Sequence, residues 1–79
     1  MVEKIYKIIE DVLKLTAEEI EKVTEDTDLI EVGMDSLNAI EVVVNIENEF
    51  DIQVEDEDLL LSNISTVRLL QELVNKYIS

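Results

Sequence analysis

The chain has 79 residues, a formal net charge of -14, 47% apolar residues, one glycine, and no cysteine, histidine or proline. A chain of this length buries only roughly 60% of the surface its unfolded form exposes, so residues 1–79 read as one small domain with no room for a deep catalytic cleft. The missing residue types exclude a disulfide framework, a thiolate zinc site and the usual general base, and charged residues interrupt every apolar run of signal or membrane length, which points to a soluble cytoplasmic protein.

The charge is unevenly placed. Residues 1–22 carry four lysines and six acids, residues 23–67 carry thirteen acids and no base, and residues 68–79 carry two bases and one acid. The middle of the chain is therefore a field of one sign. Such a field repels nucleic acid and anionic membrane and attracts basic protein surfaces or divalent cations. It also predicts a self-repelling monomer whose crowded carboxylates have raised pKa values and which salt, magnesium or mild acid stabilises.

Apolar periodicity organises the rest. Ile5, Ile8, Ile9, Val12 and Leu15 recur at helical spacing, so a first amphipathic helix is expected over about Val2 to Leu15. Thr16 and Glu19 have the form of a capping box and can start a short helical turn. From Lys22 to Asp35 the pattern lapses, and the segment reads as a long loop pinned to the core by Leu29, Ile30 and Val32. Asp35 is a good N-cap for a second helix running to about Phe50. Glu55 to Leu61 reads as a short third helix. Ser65 can cap a fourth, with Val67, Leu70, Val74 and Tyr77 facing inward and Leu69 and Leu73 beside them. The expected architecture is all-α, a small four-helix bundle of three main helices plus one short helix around a single core.

The second helix carries more apolar surface than a small bundle needs. With about 100° per residue, counted from Leu37, the polar residues Asn48, Glu41, Asn45, Asn38 and Glu49 occupy roughly 20° to 120°. Nearly all the remaining arc is apolar. Val42, Ile46, Ala39, Phe50 and Val43 form the sector expected to face the core. Ser36, Glu47, Ile40, Val44 and Leu37 form a second sector, and because its two polar members interrupt it, this one is expected to face solvent. An exposed apolar patch with a polar rim marks a protein interaction site. Ser36 lies at its N-terminal end. A nucleophilic role for its own hydroxyl needs an adjacent base, which the neighbourhood lacks. The remaining alternatives are an ordinary first-turn serine and a hydroxyl modified by another enzyme, and a helix N-terminus favours an attached phosphate.

At this point the chain resembles the acyl carrier proteins. Their signature is a G-x-D-S-L stretch opening the second helix, matched here by Gly33, Met34, Asp35, Ser36 and Leu37. The resemblance extends through TDLIEVGMDSLNAIEVVVNIENEFDIQV, residues 27–54, and ISTVRLLQELV, residues 64–74. It implies that Ser36 carries 4'-phosphopantetheine, transferred from coenzyme A by a phosphopantetheinyl transferase with magnesium. It implies a non-enzymatic shuttle that holds acyl intermediates as thioesters and presents them to the basic surfaces of acyl-transferring and condensing enzymes, with fatty-acid biosynthesis the first expectation and a polyketide or nonribosomal peptide pathway the alternative. Glu55 stands where many members have proline, and DLLLSNISTV is slightly longer than usual. The partner surface is expected to comprise Glu31, Asp35, Glu41 and Glu47 flanking the strip of Leu37, Ile40 and Val44. Ser62, Ser65 and Ser79 lie in no comparable context.

Two other classes compete. A calcium loop with Gly33 at its sixth position starts at Asp28 and puts Ile30, Val32 and Ala39 where ligands are required, which removes it. An unmodified acidic helical adaptor uses the same exposed sector but predicts no covalent group on Ser36.

Overall fold

The computed structural model describes residues 1–78, so Ser79 of the comparison serines lies outside the described residues. In chain order the helices are α1 (Val2–Leu13), α2 (Ala17–Glu21), α3 (Ser36–Phe50) and α4 (Val67–Ile78). Two 3-10 turns, Asp56–Asp58 and Leu61–Asn63, lie between α3 and α4. Among the described residues there is no strand, and three long helices plus a short one match the all-α bundle expected from the periodicity.

α1 buries Ile5 and Ile9 completely and ends two residues before the apolar pattern does. Lys14 turns left-handed at φ 56°, and the Leu15 N–H reaches back to the Glu10 carbonyl at 3.0 Å. This closure satisfies a terminal carbonyl and folds Leu15 against the core edge. The capping box then forms. The Glu19 N–H donates to Thr16 Oγ1 at 3.2 Å and the Thr16 N–H donates to Glu19 Oε1 at 2.8 Å, which starts α2.

α3 buries Ala39, Val42, Val43 and Ile46, four of the five residues expected in its core sector. Phe50 is half-buried instead. It sits on the last turn, where Lys4 Nζ lies 6.0 Å from its ring centroid. After left-handed Asp51, the Ile52 N–H closes the helix on the Glu47 carbonyl at 3.0 Å.

The short helix expected over Glu55–Leu61 does not form; the segment makes two separate 3-10 turns with extended residues at Glu55 and Leu60. Unlike α2, which starts on a capping box, this segment has no side-chain cap at Glu55, and four successive acids, Glu55 to Asp58, crowd like charges into a single turn. The cap of α4 also shifts by one residue. The Leu69 N–H donates to Thr66 Oγ1 at 3.1 Å, while Ser65 spends its carbonyl on the Leu29 N–H at 2.8 Å. Val67, Leu70, Leu73 and Val74 are buried, with Leu69 and Tyr77 half-buried.

Both irregular segments are tied to α4 by its two cations. At the N-terminal end the Arg68 guanidinium takes Asp26 bidentately, Nε to Oδ1 at 2.8 Å and Nη2 to Oδ2 at 3.1 Å, and lies 3.6 Å from Glu25. At the other end Lys76 Nζ lies 2.9 Å from Asp58. The Tyr77 hydroxyl donates to Asp58 Oδ2 and accepts the Glu55 N–H at 3.1 Å.

At the carboxylates with a hydrogen-bonding partner, these contacts outweigh the crowding that was expected to raise pKa values. Hydrogen bonds from Arg68 hold Asp26 below its usual range, and those from Tyr77 and Lys76 do the same for Asp58. Backbone hydrogen bonding lowers Glu3 and Glu19. Glu55 goes the other way, pushed up by its hydrogen bond to Glu57 and by that residue's charge. A depressed carboxylate binds fewer protons folded than unfolded, so its contribution is complete above the ordinary aspartate value of about 3.9 and is lost as pH falls through the lower folded value. Thermal melts followed by circular dichroism should therefore change little from neutrality down to about pH 5 and fall steeply below about pH 4. Asp26→Asn with Asp58→Asn should flatten that acid limb, and an unchanged limb in the double variant would assign it to other groups.

Candidate functional site

The segment leading into α3 is a series of tight turns built on Leu29. The Asp28 carboxylate accepts the Ile30 N–H at 3.0 Å, and the Glu31 N–H returns to the Asp28 carbonyl at 3.0 Å. The Leu29 carbonyl accepts the N–H groups of both Val32 at 3.1 Å and Met34 at 3.0 Å, and Leu29 itself is fully buried. Chain direction reverses at Gly33, whose φ of +110° is a region that side-chain-bearing residues rarely adopt. A Cβ there would meet nothing within 4 Å, so backbone conformation rather than crowding requires the glycine.

Met34 then drops into the core, and Asp35 is extended at φ -109°. Asp35 Oδ1 accepts the Asn38 N–H at 2.9 Å. Ser36 is the first residue of α3 and is exposed. As at any helix start, the first-turn N–H groups have no carbonyl four residues back, and those of Ser36 and Leu37 carry no bond among the described residues. The helix dipole adds partial positive charge there, which suits an attached phosphodiester.

Most of the residues singled out from sequence lie along one face running from this helix start. Leu37 is 76% exposed, Ile40 44% and Val44 46%, so the apolar arc is shared between core and solvent. Glu41 is exposed on the flank of this strip, and Asp35 and Glu31 are exposed at its N-terminal end. Glu47 is placed differently. It is half-buried, and its Oε2 accepts the Val54 N–H at 2.8 Å, holding the chain that leaves α3. Ile30, read from sequence as a core pin, is exposed instead, as is its neighbour Glu31. It sits in a loop, where no periodicity distinguishes an inward from an outward residue. Three open grooves, one between α1 and α3 lined by Lys4, Ile8 and Asn48, one beside Asp51–Gln53 and one beside Asp58 and Leu73, are lined by residues other than Ser36.

Residues 3–74 match the family model described as a phosphopantetheine attachment site. Over 66 residues the chain is 38% identical to the acyl carrier protein of Chlorobium phaeobacteroides, an alignment covering 84% of this chain and 80% of that protein. The chain belongs to the acyl carrier protein family. It is also 37% identical over 70 residues to the acyl carrier protein homolog of Mycoplasmopsis pulmonis, with 87% of this chain and 92% of that protein covered. Against the chloroplastic acyl carrier protein 2 of Spinacia oleracea it is 39% identical over 72 residues, covering 91% of this chain and spanning 50% of the plant protein's length. Membership makes this a carrier of covalently attached 4'-phosphopantetheine and not a catalyst.

The Gly33 geometry makes a direct prediction for this carrier. Gly33→Ala should cost about 1–3 kcal/mol in urea unfolding, because an L side chain is strained at that φ. A synthetic chain with D-alanine at position 33 should lose less stability than Gly33→Ala, since a positive φ is the ordinary region for a D residue. Equal destabilisation by both enantiomers would show that crowding, not φ, sets the requirement.

Proposed function

We propose that Ser36 is the phosphopantetheine attachment point and that residues 1–79 act as a single carrier domain. The domain holds acyl intermediates as thioesters and presents them to partner enzymes of fatty-acid biosynthesis in the cytoplasm. The observation that carries the reading is an exposed serine hydroxyl at the first residue of a 15-residue helix, immediately after its aspartate cap. In the attachment step Ser36 Oγ bonds to the phosphorus that bears the pantetheine arm of coenzyme A. The phosphoanhydride bond to that phosphorus breaks and adenosine 3',5'-bisphosphate leaves. The hydroxyl proton passes to the phosphopantetheinyl transferase, since the chain has no histidine. The attached group supplies the thiol that a cysteine-free chain lacks. The match to both bacterial and chloroplastic carriers supports a pathway common to the two. Among the described residues no helix is long and apolar enough to cross a membrane.

Partner recognition is divided between charge and apolar contact. Glu31, Asp35 and Glu41 steer the basic surfaces of the transferase and of acyl-transferring and condensing enzymes, and Leu37, Ile40 and Val44 supply contact area. Glu47 belongs to the original acidic set, but its bond to Val54 gives it a folding role, so charge reversal there confounds recognition with stability.

Incubation of the apo-protein with coenzyme A, magnesium and a transferase should add one phosphopantetheine mass to the wild type and none to Ser36→Ala, which should keep its helical spectrum. Modification of the alanine variant would overturn the assignment. Glu31→Lys with Glu41→Lys should lower kcat/KM for modification about tenfold at low salt, and the wild-type rate should fall steeply with ionic strength. Equal rates for the folded double variant and the wild type would leave recognition to the apolar strip alone.

A further inference from the structure

The stretch from residue 23 to 67 contains no base, yet the loop that delivers Ser36 lies within it and has little regular structure of its own. Its firmest attachments outside itself converge on the first turn of α4. Arg68 supplies two kinds. Its backbone N–H, one of the donors a helix start leaves free, bonds to the Glu25 carbonyl at 3.0 Å. Its guanidinium forks onto Asp26 at 2.8 and 3.1 Å and approaches Glu25 at 3.6 Å. One turn of loop later, the Leu29 N–H bonds to the Ser65 carbonyl at 2.8 Å, and the Leu29 carbonyl holds Met34 two residues before Ser36.

We propose that Arg68 is a positioning residue for the Ser36 site, anchoring the Glu25–Met34 loop to α4 so that Asp35 and Ser36 are presented in the geometry the modifying enzyme reads. An isolated surface ion pair is worth little, but this one has the bidentate form and a shared backbone bond that make such pairs count. The guanidinium fork is the essential part. A lysine ammonium at position 68 keeps the charge but cannot bridge both Asp26 oxygens in a fixed plane. Without the anchor the loop spends time detached, and a site that is competent only part of the time shows weaker apparent binding with an unchanged bound complex.

The kinetic arm rests on Ser36 being the modified residue; the exchange arm does not. In native-state hydrogen exchange, Arg68→Gln should speed the Leu29 and Met34 amides about fivefold relative to the core amides of Ile46 and Leu70, the size expected for loss of one good ion-pair network. Arg68→Lys should fall between wild type and Arg68→Gln. The charge swap Asp26→Arg with Arg68→Asp should slow exchange again. In transferase assays well below the melting temperature, Arg68→Gln should raise KM with kcat held, and the swap should lower KM again. Exchange at Leu29 and Met34 that rises only in step with Ile46 and Leu70 would reduce Arg68 to a contributor to global stability and overturn the proposal. So would an unchanged KM in a variant whose loop amides do exchange faster. Absence of modification on Ser36 in the wild type would instead defeat the attachment reading and leave the exchange result standing.

Discussion

Twenty carboxylates against six cations leave a chain of this size few ways to place its ion pairs, and two of the six cations lie on α4. Arg68 at its start and Lys76 near its end each hold an irregular acidic segment. Among the lysines of residues 1–22, Lys7 pairs with Glu10 and Asp11 on its own helix, and Lys4 reaches across to Glu49 on α3 at 3.8 Å. α4 thus serves twice. Its inward face contributes Val67, Leu70, Leu73 and Val74 to the core, and its ends fix the two stretches that have no helical hydrogen-bond ladder to hold them. Salt weakens the ion pairs and relieves the remaining repulsion together, so its net effect on stability is a contest between two clamps and a surplus of acids.

Much of this was readable from local signals. A capping box needs residues three apart, and Thr16 with Glu19 provides one. An N-cap needs a short acceptor before an apolar periodic run, and Asp35 is that acceptor. The division of α3 into a core sector and a solvent sector followed from an apolar arc too wide for one neighbour, which the burial of Val42, Val43 and Ile46 beside exposed Leu37, Ile40 and Val44 bears out. What stayed hidden depends on residues far apart in the chain. Asp26 and Arg68 are 42 positions apart, and Tyr77 reaches back 22 positions to the Glu55 N–H. Glu47 looked like a free glutamate because its partner, the Val54 N–H, lies beyond the end of the helix. The Glu55–Leu61 segment carries enough leucine to look helical, but its four acids and its tie to Tyr77 select short turns instead.

The position of Ser36 follows from the same economy of parts. If Ser36 is the attachment point proposed above, its hydroxyl has to be exposed to another enzyme and presented in a repeatable orientation, and in a chain this small the long helices and their ends are the regular elements available. The first residue of a capped helix meets both demands. Its side chain points away from the hydrogen-bond ladder, while its backbone is fixed on one side by Asp35 and on the other by the turns of α3 that bury Ala39 and Val42. The cap also bears on the proposed attachment at Ser36, because it accounts for an acid standing next to a serine proposed to carry a phosphodiester. The Asp35 Oδ1 accepts the Asn38 N–H, which leaves the Ser36 and Leu37 N–H groups free on the helix end that favours negative charge. A repulsive neighbour at that position is tolerable because part of its charge is already committed to the helix it starts.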